Sequence, residues 1–432
     1  MSRTQIRLSL LILAILASLI VAVALNLEQV AAFLSGTPDP LSLPPVTTHP
    51  EASGDPFPPT WTPSPTTAAT REPPEGKPTE GPTPTDALMG VFNFPDNVNP
   101  LTGLEVSDPS ILNRRPVMIK VSNYPRYGRP HAGLSYADIV FDYYIGYGYN
   151  RFLAVFYGED SPMVGPIRSG RLVDAQLVSL YNGILVYGNA DPQVDVVLVN
   201  NLGVRAMAAK DTTCPPVCGD DTHSVAGVFA DSAGITRYAN DNGIPNKKPD
   251  LRGMLFDPQV PKGDTGGTFL AVQFGIENRA EWRYDPSTST YLRWIENGVD
   301  NGVFDMIPLV DRVNNEQLSF ANIIILSGMY TTYAPTLHDF AVIDNRVGQT
   351  ALFFRDGVMT FGTWKTSHEN RPIQFFDSNG FAYALKPGNT WIVLGSPEST
   401  MVETRPGEWV YKFDIPFPTP TFTPDVTATP SP

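Results

Sequence analysis

The sequence predicts an α+β protein: an N-terminal α/β domain over residues 97–250, then a mainly antiparallel β domain over residues 267–415, both placed after a transmembrane helix and a Pro/Thr-rich linker. Three observations predict it. Runs of strand and helix character alternate from Val117 to Asn240. Two-residue turn signals then recur at Asn297-Gly298, Asp356-Gly357 and Asn379-Gly380, the chemistry of antiparallel hairpins. The chain also changes composition at both ends, with an apolar run at the start and Pro/Thr-rich stretches at residues 36–90 and 416–432. The roughly 325 residues between those stretches exceed what one hydrophobic core normally serves, so two domains are expected.

Leu8 to Leu27 are 20 consecutive uncharged positions, preceded by Arg3 and Arg7. As a helix this run crosses a hydrocarbon core of roughly 30 Å, and the arginines keep its N-terminus in the cytoplasm. Residues 1–35 are read as a cytoplasmic tip and uncleaved anchor. A cleaved signal peptide is the alternative, because Ala22-Val23-Ala24 has the small-x-small form of a cleavage site. On either reading the rest of the chain is extracytoplasmic. No Cys lies near the run, so attachment in the manner of a bacterial lipoprotein is not expected. The linker has few residues to bury, and its proline density favours an extended polyproline II spacer of about 3.1 Å per residue. The net charge of −14 argues against nucleic acid as a partner, since phosphate backbones need clustered Lys and Arg.

Within the α/β stretch, strands are expected over Val117–Val121, Ala137–Tyr144, Arg151–Tyr157 and Ile184–Tyr187, each rich in β-branched or aromatic residues. Leu172 to Tyr181 reads as a helix. A second helix follows Asp191-Pro192, where Asp caps free N–H groups and Pro at the first helical position sacrifices none. A third is expected from Ala226 to Asn240. Beyond Gly267 only short strands are expected, among them Tyr291–Ile295, Ile323–Leu326, Ala351–Phe354 and Trp391–Leu394.

Several phrases resemble a known family: Asn99-Pro100-Leu101-Thr102-Gly103, Asn113-Arg114-Arg115-Pro116-Val117, Arg129-Pro130-His131-Ala132-Gly133-Leu134-Ser135-Tyr136-Ala137-Asp138, Arg151-Phe152-Leu153-Ala154 and Val164-Gly165-Pro166-Ile167-Arg168-Ser169-Gly170-Arg171. Gly362-Thr363-Trp364-Lys365 and Pro387-Gly388-Asn389-Thr390-Trp391-Ile392 continue the match. Together they are similar to the YerB-type envelope lipoproteins. The resemblance implies an extracytoplasmic location and a two-part architecture, and it implies no reaction. This chain departs from the family's pattern in having an apolar anchor where a lipobox is usual, and Thr222-His223-Ser224 where a Pro-His-Asn phrase is usual.

Arg168, Ser169 and Arg171 lie between a strand end and a helix start, so guanidinium groups and helix N–H donors can converge there on a phosphate or carboxylate. Ion pairing of these arginines with Asp174 or Asp191 is the competing reading. Asp191 and His223 complete the set of ligand-binding candidates. His223, beside Asp220 and Asp221, has the chemistry of a base or a loop residue, and no metal spacing or catalytic motif accompanies it. No catalytic residue, metal or cofactor is assigned. Cys214 and Cys218 are the only thiols and are expected to form a local disulfide outside the cell. The aromatic stretch Tyr143 to Tyr149 reads either as packing or as a sugar-binding loop. The expected function is binding of an anionic or glycan envelope ligand by a protein held to the cell membrane through its N-terminal helix. An envelope enzyme and a structural or adhesive stalk module are the alternatives.

Overall fold

β-branched and aromatic runs supply most of the secondary structure. The first half carries strands β1 (Val117–Ser122), β2 (Ile139–Gly146), β3 (Tyr149–Phe156), β4 (Ile184–Tyr187), β5 (Ala206–Ala208), β6 (Val217–Gly219) and β7 (Val228–Ala230). Its helices are α1 (Leu172–Leu180), α2 (Pro192–Leu202) and α3 (Ser232–Asp241). The second half carries β8 (Leu255–Phe256), β9 (Phe269–Gly275), β10 (Asn278–Asp285), β11 (Thr290–Asp300), β12 (Val303–Pro308), β13 (Ser319–Phe320), β14 (Asn322–Ser327), β15 (Tyr330–Ala334) and β16 (Leu337–Phe340). It ends with β17 (Gln349–Arg355), β18 (Val358–Lys365), β19 (Gln374–Asp377), β20 (Ala384–Leu385), β21 (Thr390–Gly395), β22 (Thr400–Arg405) and β23 (Glu408–Lys412). The computed structural model describes residues 94–219, 226–263, 265–367 and 370–415. These fall within one compact unit, Gly76–Pro432.

A ten-stranded sheet, in the order β19-β18-β17-β14-β21-β2-β3-β1-β4-β5, draws strands from both halves of the chain. The join is parallel: β21 lies between β14 and β2 and runs parallel to each. The second half is therefore not purely antiparallel, and β23 also pairs parallel with β9. Since β3 is antiparallel to both β2 and β1, and β4 and β5 are parallel to β1, the strands β14, β21, β2, β1, β4 and β5 all point one way. Their carboxyl ends line one edge of the sheet.

Both faces of this sheet are covered, so its central strands are continuous apolar runs rather than alternating ones. One face packs Met118, Phe141 and Leu153 against Leu177 and Val178 of α1 and Val194 and Leu198 of α2. The other packs Ile119, Phe152 and Val393 against Leu270, Val272 and Trp282 of a seven-stranded sheet and Ile235 of α3. Trp391 lies centrally between the two sheets, fully buried, with ring contacts to Phe152, Trp282 and Phe320.

Most expected elements form within a residue or two of their expected ends. α2 begins as anticipated, the Asp191 carboxylate accepting from the Gln193 N–H at 2.9 Å. Two expectations need correction. The helix expected from Ala226 starts only at Ser232, because Val228–Ala230 is taken up as β7 against β6. The turn expected at Asn297-Gly298 sits instead at Asn301-Gly302, where both residues adopt positive φ (47° and 78°), and Asn297 falls in an irregularity within β11. The hairpin at Asp356-Gly357 forms as expected between β17 and β18. No described helix is long and apolar enough to cross a membrane. The run Leu8–Leu27 lies outside the described residues, as do the linker and the tail.

Trp391→Ala removes a large ring from between the sheets and is expected to cost about 3–5 kcal/mol, the range for buried aromatic truncation. Because the ten-stranded sheet spans both halves, calorimetry of the Gly76–Pro432 unit is expected to show one unfolding transition that Trp391→Ala shifts as a whole. Two transitions, only one of them shifted, would mean that the halves fold separately.

Candidate functional site

The carboxyl edge of the ten-stranded sheet contains a local splay. β1 and β4 pair in parallel only over Val117–Ile119 and Ile184–Val186. Beyond that the segment 166–170 inserts between them: the Ser122 N–H donates to Pro166 O at 2.8 Å, the Arg168 N–H to Lys120 O at 3.0 Å, the Gly188 N–H to Arg168 O at 2.9 Å, and the Gly170 N–H to Asn189 O at 2.8 Å. Crevices outside the carboxyl ends of parallel strands are where open α/β sheets bind ligands.

A cleft of about 370 Å3 opens here, with Arg168, Ser169, Asn189 and Lys210 as its polar lining and Ile167, Val217 and Val228 among its apolar lining. Arg168 is half-buried, and its Nε donates to Ser122 Oγ at 3.2 Å. Its terminal nitrogens have no protein acceptor among the described residues. Ser169 Oγ donates to Asn189 Oδ1 at 2.5 Å. β6 borders the cleft through Val217 and Gly219, next to a disulfide that joins Cys214 to Cys218.

The other expected members go elsewhere. Arg171 turns away from the cleft: its Nη1 donates to Thr336 O at 2.6 Å, and its backbone N–H donates to the Asp174 carboxylate at 2.7 Å. It ties the start of α1 to the segment between β15 and β16. Asp191 is spent as the cap of α2. His223 lies outside the described residues. The structure thus brings Arg168 and Ser169 together in the cleft lining and leaves Arg171 and Asp191 outside it. It adds Asn189 and Lys210, which carried no motif in the sequence.

Behind the cleft is a buried charged cluster. Lys120 points from β1 towards α1, where its Nζ donates to the Tyr143 hydroxyl, which in turn donates to Asp174. Lys120 Nζ lies 3.4 Å from Asp174 Oδ1, and both side chains are fully buried. Burial pulls the Lys120 ammonium down to about 7, against the opposing pull of Asp174. Arg151, whose Nη1 donates to Ser169 O at 3.0 Å, is pulled down to about 9 by burial and by the neighbouring Arg171 and Arg168. Arg151, Arg168 and Arg171 therefore form a local concentration of positive charge in a chain of net charge −14, with Lys120 matched by Asp174 beside them. The one sequence signal for it was a lysine inside the apolar strand Val117-Met118-Ile119-Lys120-Val121.

Most phrases that carried the family resemblance resolve into clasps. Asn99 Nδ2 donates to Asp138 at 2.8 Å, and Arg114 pairs with Asp160 at 2.9 Å. Arg129 pairs with the buried Glu296, and the Gly133 and Ser135 N–H groups donate to Asp311 at 2.8 and 2.9 Å. Gly133 has φ 80°, and a Cβ there would meet Met163 O at 2.5 Å, so the clasp requires glycine. Only the Val164–Arg171 phrase reaches the cleft. Tyr143 is buried and Tyr144 stacks on Phe413, while Trp364 and Trp391 lie in the core.

Residues 101–242 match the family described as protein of unknown function (DUF3048), N-terminal domain, and residues 270–392 match its C-terminal domain. The chain is 26% identical over 327 residues to YerB of Bacillus subtilis (strain 168), named as a candidate lipoprotein, with 72% of this chain and 89% of that protein covered. It is also similar to the crystal structure of the YerB protein from Bacillus subtilis, with a TM-score of 0.55 at 24% identity over 69% of this chain and 96% of that one.

Asp174→Asn strands Lys120 without a counter-charge and is expected to destabilise the fold by about 3–5 kcal/mol, most of it recovered in the Lys120→Met/Asp174→Asn double variant. Urea titration of the three proteins checks this, and equal losses in both variants would dissociate Lys120 from Asp174. The depressed Lys120 pKa also has a sign. Between about 7 and the unfolded value of about 10.4 the unfolded chain binds the proton and the folded chain does not, so stability falls as pH drops through that window and levels below it. Relative to Lys120→Met, the parent should lose stability from pH 10 to pH 7; parallel profiles would refute the assignment.

Proposed function

The chain belongs to the YerB-like family, and on that premise we propose that it is a membrane-tethered, extracytoplasmic protein that binds an anionic cell-envelope ligand at the carboxyl edge of its ten-stranded sheet. The observation that carries the reading is Arg168, half-buried in a solvent-open cleft with its terminal nitrogens unclaimed among the described residues and with Ser169 and Lys210 lining the same cleft. A guanidinium in that setting offers paired donors to a phosphate or carboxylate. The positive charge of Arg151 and Arg171 behind it raises the potential felt by an incoming anion.

The relative's naming as a candidate lipoprotein supports a place in the envelope. The tether in this chain is the apolar run Leu8–Leu27, since its two cysteines are committed to each other. Anion binding is favoured over sugar stacking because Tyr143, Trp364 and Trp391 are buried and Tyr144 stacks on Phe413, while Tyr147, the exposed ring of the stretch from Tyr143 to Tyr149, is not part of the cleft lining. Binding is favoured over catalysis because the Ser169 hydroxyl donates to an amide oxygen, a group that takes no proton at neutral pH.

With sn-glycerol 3-phosphate as probe, Arg168→Ala is expected to weaken calorimetric binding by about 1.5–3 kcal/mol, the range for hydrogen bonds to charged groups, with little change in melting temperature. Arg171→Ala is expected to lower the melting temperature instead, because its partners are within the protein. Unaltered binding in Arg168→Ala, or no binding by the parent, would overturn the anion reading.

A further inference from the structure

The cationic cleft has an apolar neighbour. Leu172 and Ala175 of α1, Val196 and Val197 of α2, and Tyr333 and Leu337 beside them line a groove of about 660 Å3. Val196 is 58% exposed and Tyr333 37% exposed, so the groove faces water. Its volume is that of a small-molecule site, and such sites are mostly apolar with a few placed polar groups. The polar groups here are the amides of Gln176, Gln193 and Asn201 and the Asp339 carboxyl. Asp339 is occupied within the protein, accepting from Gln176 Nε2 at 3.0 Å and from the Phe340 N–H at 2.9 Å.

Cleft and groove share a wall. The segment 168–172 contributes Arg168 and Ser169 to the cleft and Leu172 to the groove, and the segment 188–193 contributes Gly188 and Asn189 to the cleft and Pro192 and Gln193 to the groove. The two segments are hydrogen-bonded to each other through Gly188 and Gly170. Three residues along either segment thus separate a polar lining from the groove's. An anion alone leaves the groove unexplained, and an apolar molecule alone leaves Arg168 and Lys210 unexplained.

We propose that the ligand is a single-chain anionic amphiphile, with its phosphate in the cleft on Arg168, Ser169 and Lys210 and its hydrocarbon chain in the groove between α1 and α2. This rests on the anion reading above and adds the chain to it. Charge complementarity fixes the polar end, and the groove removes methylenes from water at the other end, each buried CH2 strengthening binding several-fold.

The test is calorimetric titration of the Gly76–Pro432 unit with methyl phosphate, octyl phosphate and uncharged octyl glucoside, each below its micelle concentration. Octyl phosphate is expected to bind at least tenfold more tightly than either of the others. Val196→Asp, at an exposed position that leaves the core intact, is expected to bring octyl phosphate to the affinity of methyl phosphate. Equal affinities for methyl and octyl phosphate, both weakened by Arg168→Ala, would overturn the amphiphile while leaving the anion reading in place. Octyl glucoside binding as tightly as octyl phosphate would overturn both. A tenfold gain for octyl phosphate on removal of residues 416–432 would assign the groove to the chain's own tail, and self-association abolished by Val196→Asp would assign it to a second copy; either result overturns the proposal.

Discussion

The parallel placement of β21 between β14 and β2 is the constraint on which the rest of the structure depends. Five consecutive positions of β2, Ile139 to Tyr143, pair with Thr390 to Leu394, so residues about 250 apart in sequence lie side by side. This join makes one sheet of two halves of the chain, and it requires both faces of that sheet to be covered. α1 and α2 cover one face, and the seven-stranded sheet with α3 covers the other. Each layer is amphipathic and cannot bury its apolar side alone, so the layers stabilise one another.

Two covered faces also explain why charged side chains are buried at mid-sheet. Lys120 faces the helices and is met by Tyr143 and Asp174; Asp142 faces the other sheet and accepts from Asn150 and from the Trp391 indole. Burial pushes the Asp142 carboxyl up to about 7, opposed mainly by Arg293. Arg293 in turn lies over the faces of Trp282 and Trp391 at 4.2 and 4.8 Å, so a cation is accommodated between the sheets by aromatic rings, within the electrostatic reach of Asp142. Such groups are costly singly; Lys120 and Asp142 are met by hydrogen-bond partners, whereas Arg293 keeps its Nε and Nη2 without one among the described residues and relies on the rings. They make the packing of the layers specific, since sliding one layer would leave several charges without partners.

The cleft depends on the same arrangement. Six strand ends share an edge, β1 and β4 splay there, and the inserted segment 166–170 carries Arg168 and Ser169 out to solvent. The basic side chains behind the cleft are held by elements that the layers position, Lys120 by β1 and Arg151 by β3. The apolar groove beside it exists because α1 and α2 pack on the sheet through Leu177, Val178, Val194 and Leu198, leaving Val196 exposed and Val197 half-buried along the groove. Charge on one side of a shared wall and apolar surface on the other follow from the course of two short segments, each lining the cleft with its first residues and the groove with its last.

The sequence by itself determined the local elements. β1, β4, α1 and the start of α2 were legible because hydrophobic period, Asp-Pro capping and turn dipeptides act over a few residues. The same locality explains the misses: nothing near Ala226 announces that Val228–Ala230 pairs with β6, and Asn297-Gly298 and Asn301-Gly302 are equivalent until a register chooses between them. Arg168 and Ser169 were legible as candidates because they adjoin a helix start, and both line the cleft. Asn189 and Lys210 were not, because their place depends on which strands become neighbours. That Arg171 would turn towards Thr336, that β21 would bridge the two halves, and that an apolar groove would lie beside the cationic cleft were decided only by tertiary structure. Each depends on contacts between residues far apart in the chain, and those contacts are selected by the burial of whole faces rather than by any local preference.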